Sequence, residues 1–225
     1  MLASDPLNLS SRQREFFVMN TMPLHAHSGR ASDAATPNGI PPTKFAHCVI
    51  YTTRFPQMVR WYKTVLVMRA SHEDDSVAFL TFDDEHHRIA LVQMAGLKDR
   101  PKGLIGFHHV AFTYSSLRDL LLTHERLTKA GIQPYWAINH GPTTSLYFLD
   151  PDGNRVELQV DNFDTAEEGI AFCALPEFAE NPVGVEFDPP SLLSRLRAGE
   201  SEVALKKRPN MGPRSLATLP SEAIP

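Results

Sequence analysis

Between residues 44 and 161 the apolar positions fall into two successive runs of the same form. The first opens with Phe45-Ala46-His47-Cys48-Val49-Ile50-Tyr51, a short apolar stretch that reads as a buried strand. Phe55, Met58, Val59, Tyr62, Val65 and Leu66 follow at helical spacing, so a helix is expected over Phe55 to Met68. Val77 to Phe82 and Arg88 to Val92 then return to strand-like runs. The second copy opens with Gly106-Phe107-His108-His109-Val110-Ala111-Phe112 and continues into a helix over Ser116 to Ala130, with Leu117, Leu120, Leu121 and Leu127 on one side and Gly131 as the stop. Ser145 to Leu149 and Arg155 to Val160 are its later strands. Set His47 against His109 and the copies align, each an imidazole followed by an apolar run. An α+β fold of two βαβββ modules, 44–95 and 107–161, is therefore expected.

The flanks lack this periodicity. Residues 1–43 are rich in Ser, Ala, Pro and Asn and read as a flexible arm with one brief helix candidate, Arg12 to Met19. His25 and His27 lie in that arm and read as solvated. Ala95 to Gly106 reads as the linker between modules, 162–200 as an irregular C-terminal wrap with a helix at Ser191 to Arg197, and 201–225 as a loose tail.

Composition narrows the function. A net charge of −4 over 225 residues disfavours a nucleic-acid or anionic-membrane surface. No apolar run approaches the length of a membrane span. Met1 to Ser11 has no charged-then-apolar pattern, so a cytoplasmic protein is expected. Cys48 and Cys173 sit in apolar strings without metal-type spacing and are expected as reduced core residues.

The candidate chemistry lies in the strands. His108 and His109 point to opposite faces, so only one can serve a given site. Asp150-Pro151-Asp152-Gly153-Asn154 is a tight turn built on a fixed φ, a side-chain hydrogen bond and tolerance of positive φ. It feeds a strand in which Arg155, Glu157 and Gln159 share one face. Taken alone, these are a satisfied core histidine and a half-exposed strand. A carboxylate facing a closed core, however, needs a cation.

Two repeat-equivalent histidines and one glutamate on a last strand resemble the vicinal oxygen chelate superfamily, and within it the type I extradiol ring-cleaving dioxygenases. The specific pieces are His-His-Val-Ala-Phe at 108–112 and Tyr-Phe-Leu-Asp-Pro-Asp-Gly-Asn-Arg-Val-Glu at 147–157. The resemblance implies that the paired modules form one half-open barrel around a metal held by His47, His109 and Glu157, with His108 turned away. Such a set suits Fe2+, with Mn2+ as the alternative ion, and leaves room for both oxygens of an aromatic diol and for O2. His87, in Glu85-His86-His87-Arg88, matches a histidine beside bound dioxygen. His140 matches an acid for lactone formation, and Tyr147 a tyrosine that hydrogen-bonds substrate.

Ala90 aligns with Glu157 in the first module, so the fourth ligand of a glyoxalase-type site is missing. The resemblance therefore implies an Fe2+-dependent extradiol dioxygenase cleaving a catechol-type diol with O2, in a homo-oligomer. The alternatives are another metal-dependent enzyme of this fold (isomerase, lyase or thiol transferase) or a non-catalytic small-molecule binder.

Overall fold

The computed structural model describes residues 39–99, 101, 103 and 105–220. The expectations for Arg12 to Met19, His25 and His27 lie outside them. The first module runs β1 (Cys48–Thr52), α1 (Phe55–Val65), β2 (Arg69–Glu73), β3 (Val77–Thr81) and β4 (Ile89–Gln93). The second runs β5 (His109–Thr113), α2 (Leu117–Lys129), β6 (Trp136–Asn139), β7 (Thr143–Leu149) and β8 (Arg155–Asp161). Each module is therefore βαβββ, and the fold is α+β with two open sheets of order β1-β4-β3-β2 and β5-β8-β7-β6-β9. Within each module the first strand pairs in parallel with the last, and the remaining pairings are antiparallel.

The helices form where the apolar stripe predicted them. Phe55, Met58, Val59, Tyr62 and Val65 of α1 are all buried, as are Leu117, Leu120, Leu121 and Leu127 of α2. Pro56 stands in the first turn of α1, where its missing N–H costs nothing. Ser116 caps α2 by accepting from the Asp119 N–H at 3.0 Å. Both helices pack into one continuous core with Leu80, Ile89 and Leu91 of the first sheet and Leu146, Phe148, Val156 and Leu158 of the second.

Polar ties bridge the modules. The Tyr62 hydroxyl donates to Asp150 Oδ2 at 3.1 Å, and Arg126 donates to the Thr64 and Val65 carbonyls that end α1. Asp150 also accepts from the Asn154 and Asp152 N–H groups, which closes the predicted turn; Gly153 adopts φ 81° there.

The chain beyond β8 departs from expectation. Residues 162–200 hold α3 (Ala166–Cys173), α4 (Pro176–Glu180), a two-residue strand β9 (Val185–Glu186) that extends the second sheet beside β6, and α5 (Pro189–Arg197). The described part of the expected loose tail contains α6 (Glu202–Lys206) and a 3-10 turn at Leu216–Thr218. Leu205 is buried in the main core, and Glu202 accepts from the Leu117 and Arg118 N–H groups at the start of α2. Of the two cysteines expected in the core, Cys48 is half-buried against it, but Cys173 is exposed, because α3 lies on the surface with none of its residues buried. Among the described residues no helix is long and apolar enough to cross a membrane.

One titratable group couples this packing to pH. His124 on α2 is 6% exposed, and burial pushes its imidazole below the usual range, opposed by Asp188 and Glu125. Its folded pKa is thus below its unfolded one, near 6.5. The neutral ring's contribution is complete above the unfolded value and is lost as pH falls through it toward the folded value. The melting temperature is expected to fall between about pH 7 and pH 5, with a shallower slope in His124→Gln. Equal slopes in differential scanning fluorimetry would remove His124 from the account.

Candidate active site

The face of the second sheet turned away from its helix carries the polar residues. Pleating sets which side chains meet there. In the β-ladder Ala111 lies beside Glu157, Glu157 beside Tyr147, and Tyr147 beside Trp136. His109 is two residues before Ala111 and so shares the face.

His109 Nε2 stands 3.0 Å from Glu157 Oε2. The carboxylate is only 4% exposed. Burial pushes its pKa up, but hydrogen bonds from His109, Ser145 and Tyr147 outweigh that and hold it below the ordinary range. The Tyr147 hydroxyl lies between this carboxylate and His140 Nε2, which is 2.9 Å away. His140 Nδ1 is 2.6 Å from the Val183 carbonyl. A carbonyl can only accept, so Nδ1 carries the proton; burial lowers the His140 pKa and keeps Nε2 an acceptor. One hydroxyl proton therefore has two acceptors in reach. Burial, then the nearby Glu157 charge, pushes the Tyr147 pKa far above normal and keeps that proton on oxygen.

The first module presents a matching half. Val49, Ala90 and Phe79 occupy the register that Ala111, Glu157 and Tyr147 occupy in the second. The parallel holds strand by strand, with Ala90 in the place of Glu157. His87 sits outside the strands, just before β4, so strand alternation does not force it onto the face opposite Ala90. Its ring stacks on Phe79 at 4.6 Å and stands 4.2 Å from that of His47. His87 is buried, and burial, then His47 and His86, lowers its pKa. Arg88 holds this corner by donating to the Ala46 and Phe45 carbonyls while paired with Asp83.

The predicted residues thus gather in two groups: His109, Glu157, Tyr147 and His140 on the second module, His47 and His87 on the first. Among the described residues no cluster of three or more His, Cys, Asp or Glu side chains is close enough to hold one ion. The His109–Glu157 spacing matches that of two neighbouring ligands on an ion with bonds of about 2.1 Å. His108, expected to turn away, folds back so that its Nδ1 lies 2.7 Å from His109 Nδ1. Trp136 is at the site, 5.1 Å from the Tyr147 ring, whereas Phe172 packs between Phe163 and Phe178 around α3. Val183, Tyr135 and Leu219 complete the Tyr147 surround, and periodicity alone gave no hint of Val183 or Leu219.

A family model described as the glyoxalase/bleomycin resistance protein/dioxygenase superfamily matches residues 44–158, the two modules together. The chain belongs to that superfamily. It is 50% identical over 157 residues, 69% of its length and 83% of the relative's, to biphenyl-2,3-diol 1,2-dioxygenase 2 of Rhodococcus globerulus. It is 41% identical to biphenyl-2,3-diol 1,2-dioxygenase 3 of the same organism, over 73% of its length and 88% of the relative's. A solved superfamily domain from Frankia sp. EAN1pec is 21% identical, with TM-score 0.46, over 54% of this chain and 99% of that one. In this chain the carboxylate stands in one module only, Glu157 in the second against Ala90 in the first.

Proposed function

We propose that this superfamily member is a cytoplasmic Fe2+-dependent dioxygenase that opens the ring of a catechol-type diol with O2, Mn2+ being the alternative ion. The observation that carries the reading is the line His109–Glu157–Tyr147–His140 across one sheet face, a ligand pair joined to an acid–base pair. The names of the two Rhodococcus relatives point to the same reaction class and to a diol bearing a second aryl group.

His109, Glu157 and His47 are the residues that would hold the ion, His47 reaching it from the first module. When bound, the ion supplies Lewis acidity and a template that sets diol and O2 side by side. The remaining chemistry belongs to side chains. With the ion on Nε2, His109 would carry its proton on Nδ1 and donate it to His108 Nδ1, 2.7 Å away. Once the Glu157 charge is compensated, the Tyr147 proton is left to His140 Nε2 alone. The Tyr147 oxygen then accepts from a substrate hydroxyl, and a proton can pass through it to His140 and return during ring opening. On this reading His87, buried against Phe79 beside His47, would serve the oxygen side. Trp136 and Leu219 line the edge near Tyr147 where a second aryl group would rest.

The test is anaerobic loading with Fe2+ or Mn2+, followed by oxygen uptake and absorbance with catechol, 3-methylcatechol and biphenyl-2,3-diol. A yellow ring-opened product with one O2 consumed per diol is expected, fastest with the aryl-substituted diol. No uptake with either ion and any of the three would sink the reading.

A further inference from the structure

The hairpin joining β6 to β7 delivers His140, and its hold on the imidazole comes from chain far downstream. Arg208 lies beyond α6, in the segment that periodicity assigned to a loose tail, yet it is only 7% exposed. Its Nη1 donates to the His140 carbonyl at 3.1 Å and to the Asn181 carbonyl at 2.7 Å; its Nη2 donates to the Glu177 carbonyl at 3.1 Å. One guanidinium thus ties the hairpin, the end of α4 and the C-terminal segment together. Its planar fork makes that possible, and a lysine could not span the same acceptors.

The surroundings leave little slack. The Phe172 ring lies 5.2 Å from the guanidinium carbon and packs so closely on Gly141 that an added Cβ would sit 2.3 Å from it. Gly184, at φ 116°, lets its backbone approach the hairpin where a Cβ would fall 2.4 Å from the Asn139 carbonyl oxygen. Asn181 holds Gly184 from both sides, accepting from its N–H at 2.7 Å and donating to its carbonyl at 3.1 Å. Val183, whose carbonyl fixes the His140 ring, lies inside that loop. The Asn139 side chain donates to the Lys206 carbonyl at 2.8 Å, a second tie to the same downstream segment.

We infer that Arg208 is a positioning residue for His140, fixing at once the backbone that carries the imidazole and the loop whose carbonyl sets its tautomer. The inference rests on the functional reading above for its kinetic consequence, though not for its structural one. A displacement of about 1 Å in a catalytic group costs roughly 100-fold in rate.

The experiment joins two readouts. In metal-free protein, the His140 Nδ1–H, held by the Val183 carbonyl, should give a slowly exchanging imidazole proton resonance, assigned by its absence in His140→Gln. Arg208→Gln should lose it. In Fe2+-loaded protein, Arg208→Gln should lower kcat about 10- to 100-fold with KM changed less than about threefold, and should cost nothing further in the His140→Gln background. Leu205→Ala is the control: it loosens the same segment in the core without touching the hairpin and should keep both resonance and kcat. If Arg208→Gln does not fold, Arg208→Lys, which keeps charge and stem but not the fork, is read against the same criteria. Retention of the resonance and of kcat, additive losses in the double variant, or the same kcat loss in Leu205→Ala would each overturn the inference. Absence of ring cleavage in the unsubstituted protein would instead fail the functional reading, and the resonance would still judge the role of Arg208.

Discussion

Replacing His109 with alanine is expected to abolish metal uptake and lower ring cleavage by about 10³-fold or more, since the Lewis-acid contribution it helps to hold is worth several kcal/mol. The same change removes the imidazole 3.0 Å from a carboxylate that is only 4% exposed. A buried carboxylate that loses a hydrogen-bond donor costs about 1–3 kcal/mol, so the variant should also melt earlier. The two effects separate a metal site from a plain structural hydrogen bond. In the unsubstituted protein, added Fe2+ should raise the melting temperature by mass action, and in His109→Ala it should not. A variant with full metal occupancy and undiminished turnover would falsify the assignment of His109 as a ligand.

Tyr147→Phe is the second large effect. Metal occupancy should be unchanged, because Phe keeps the ring against Trp136 and Tyr135 and leaves His109 and Glu157 in place. Turnover should drop about 10²- to 10³-fold, the range for loss of a positioned proton-transfer group. The hydroxyl is the link between the carboxylate side of the site and His140 Nε2, 2.9 Å away. Without it, His140 keeps its Val183 contact but has no path to substrate. Stability should fall by about 1–3 kcal/mol, since a buried imidazole nitrogen loses its donor. Single-turnover kinetics with matched metal content decides this; a variant within about twofold of the parent rate would place Tyr147 in the core and nowhere else.

The duplicated half of the chain was legible because burial imposes periodicity. Both helices and most strands with an apolar face between 44 and 161 announced themselves, and the alignment of Ala90 with Glu157 reappears as strand register. Strand β6 did not, because its four residues are too few to show a period even though Ile138 is fully buried. Strand β2 gave no signal because all five of its residues are exposed and mostly polar; it is held by backbone pairing to β3 and by surface contacts such as Arg69 donating to the Asp83 carbonyl. Strand β9 is too short for any pattern. The C-terminal segment was misjudged for a different reason. Its anchors are one lone buried leucine, Leu205, and single polar groups, Glu202 on the start of α2 and Arg208 on the His140 hairpin, and such isolated contacts leave no trace in hydrophobic spacing. The histidines could be picked out as a repeat-related pair, but sequence could not foretell their grouping: His109 with Glu157, His47 with His87.

The long reach from Arg208 back to His140 also orders events during synthesis. Both modules are complete once β8 has left the ribosome, although Leu192, Leu193, Leu196 and Leu205 join their common core only later. The imidazole at position 140 cannot lock until nearly fifty further residues have emerged. A nascent chain arrested between those points would present a folded scaffold with a loose imidazole, and on the proposed reading full turnover would wait for Arg208 to arrive.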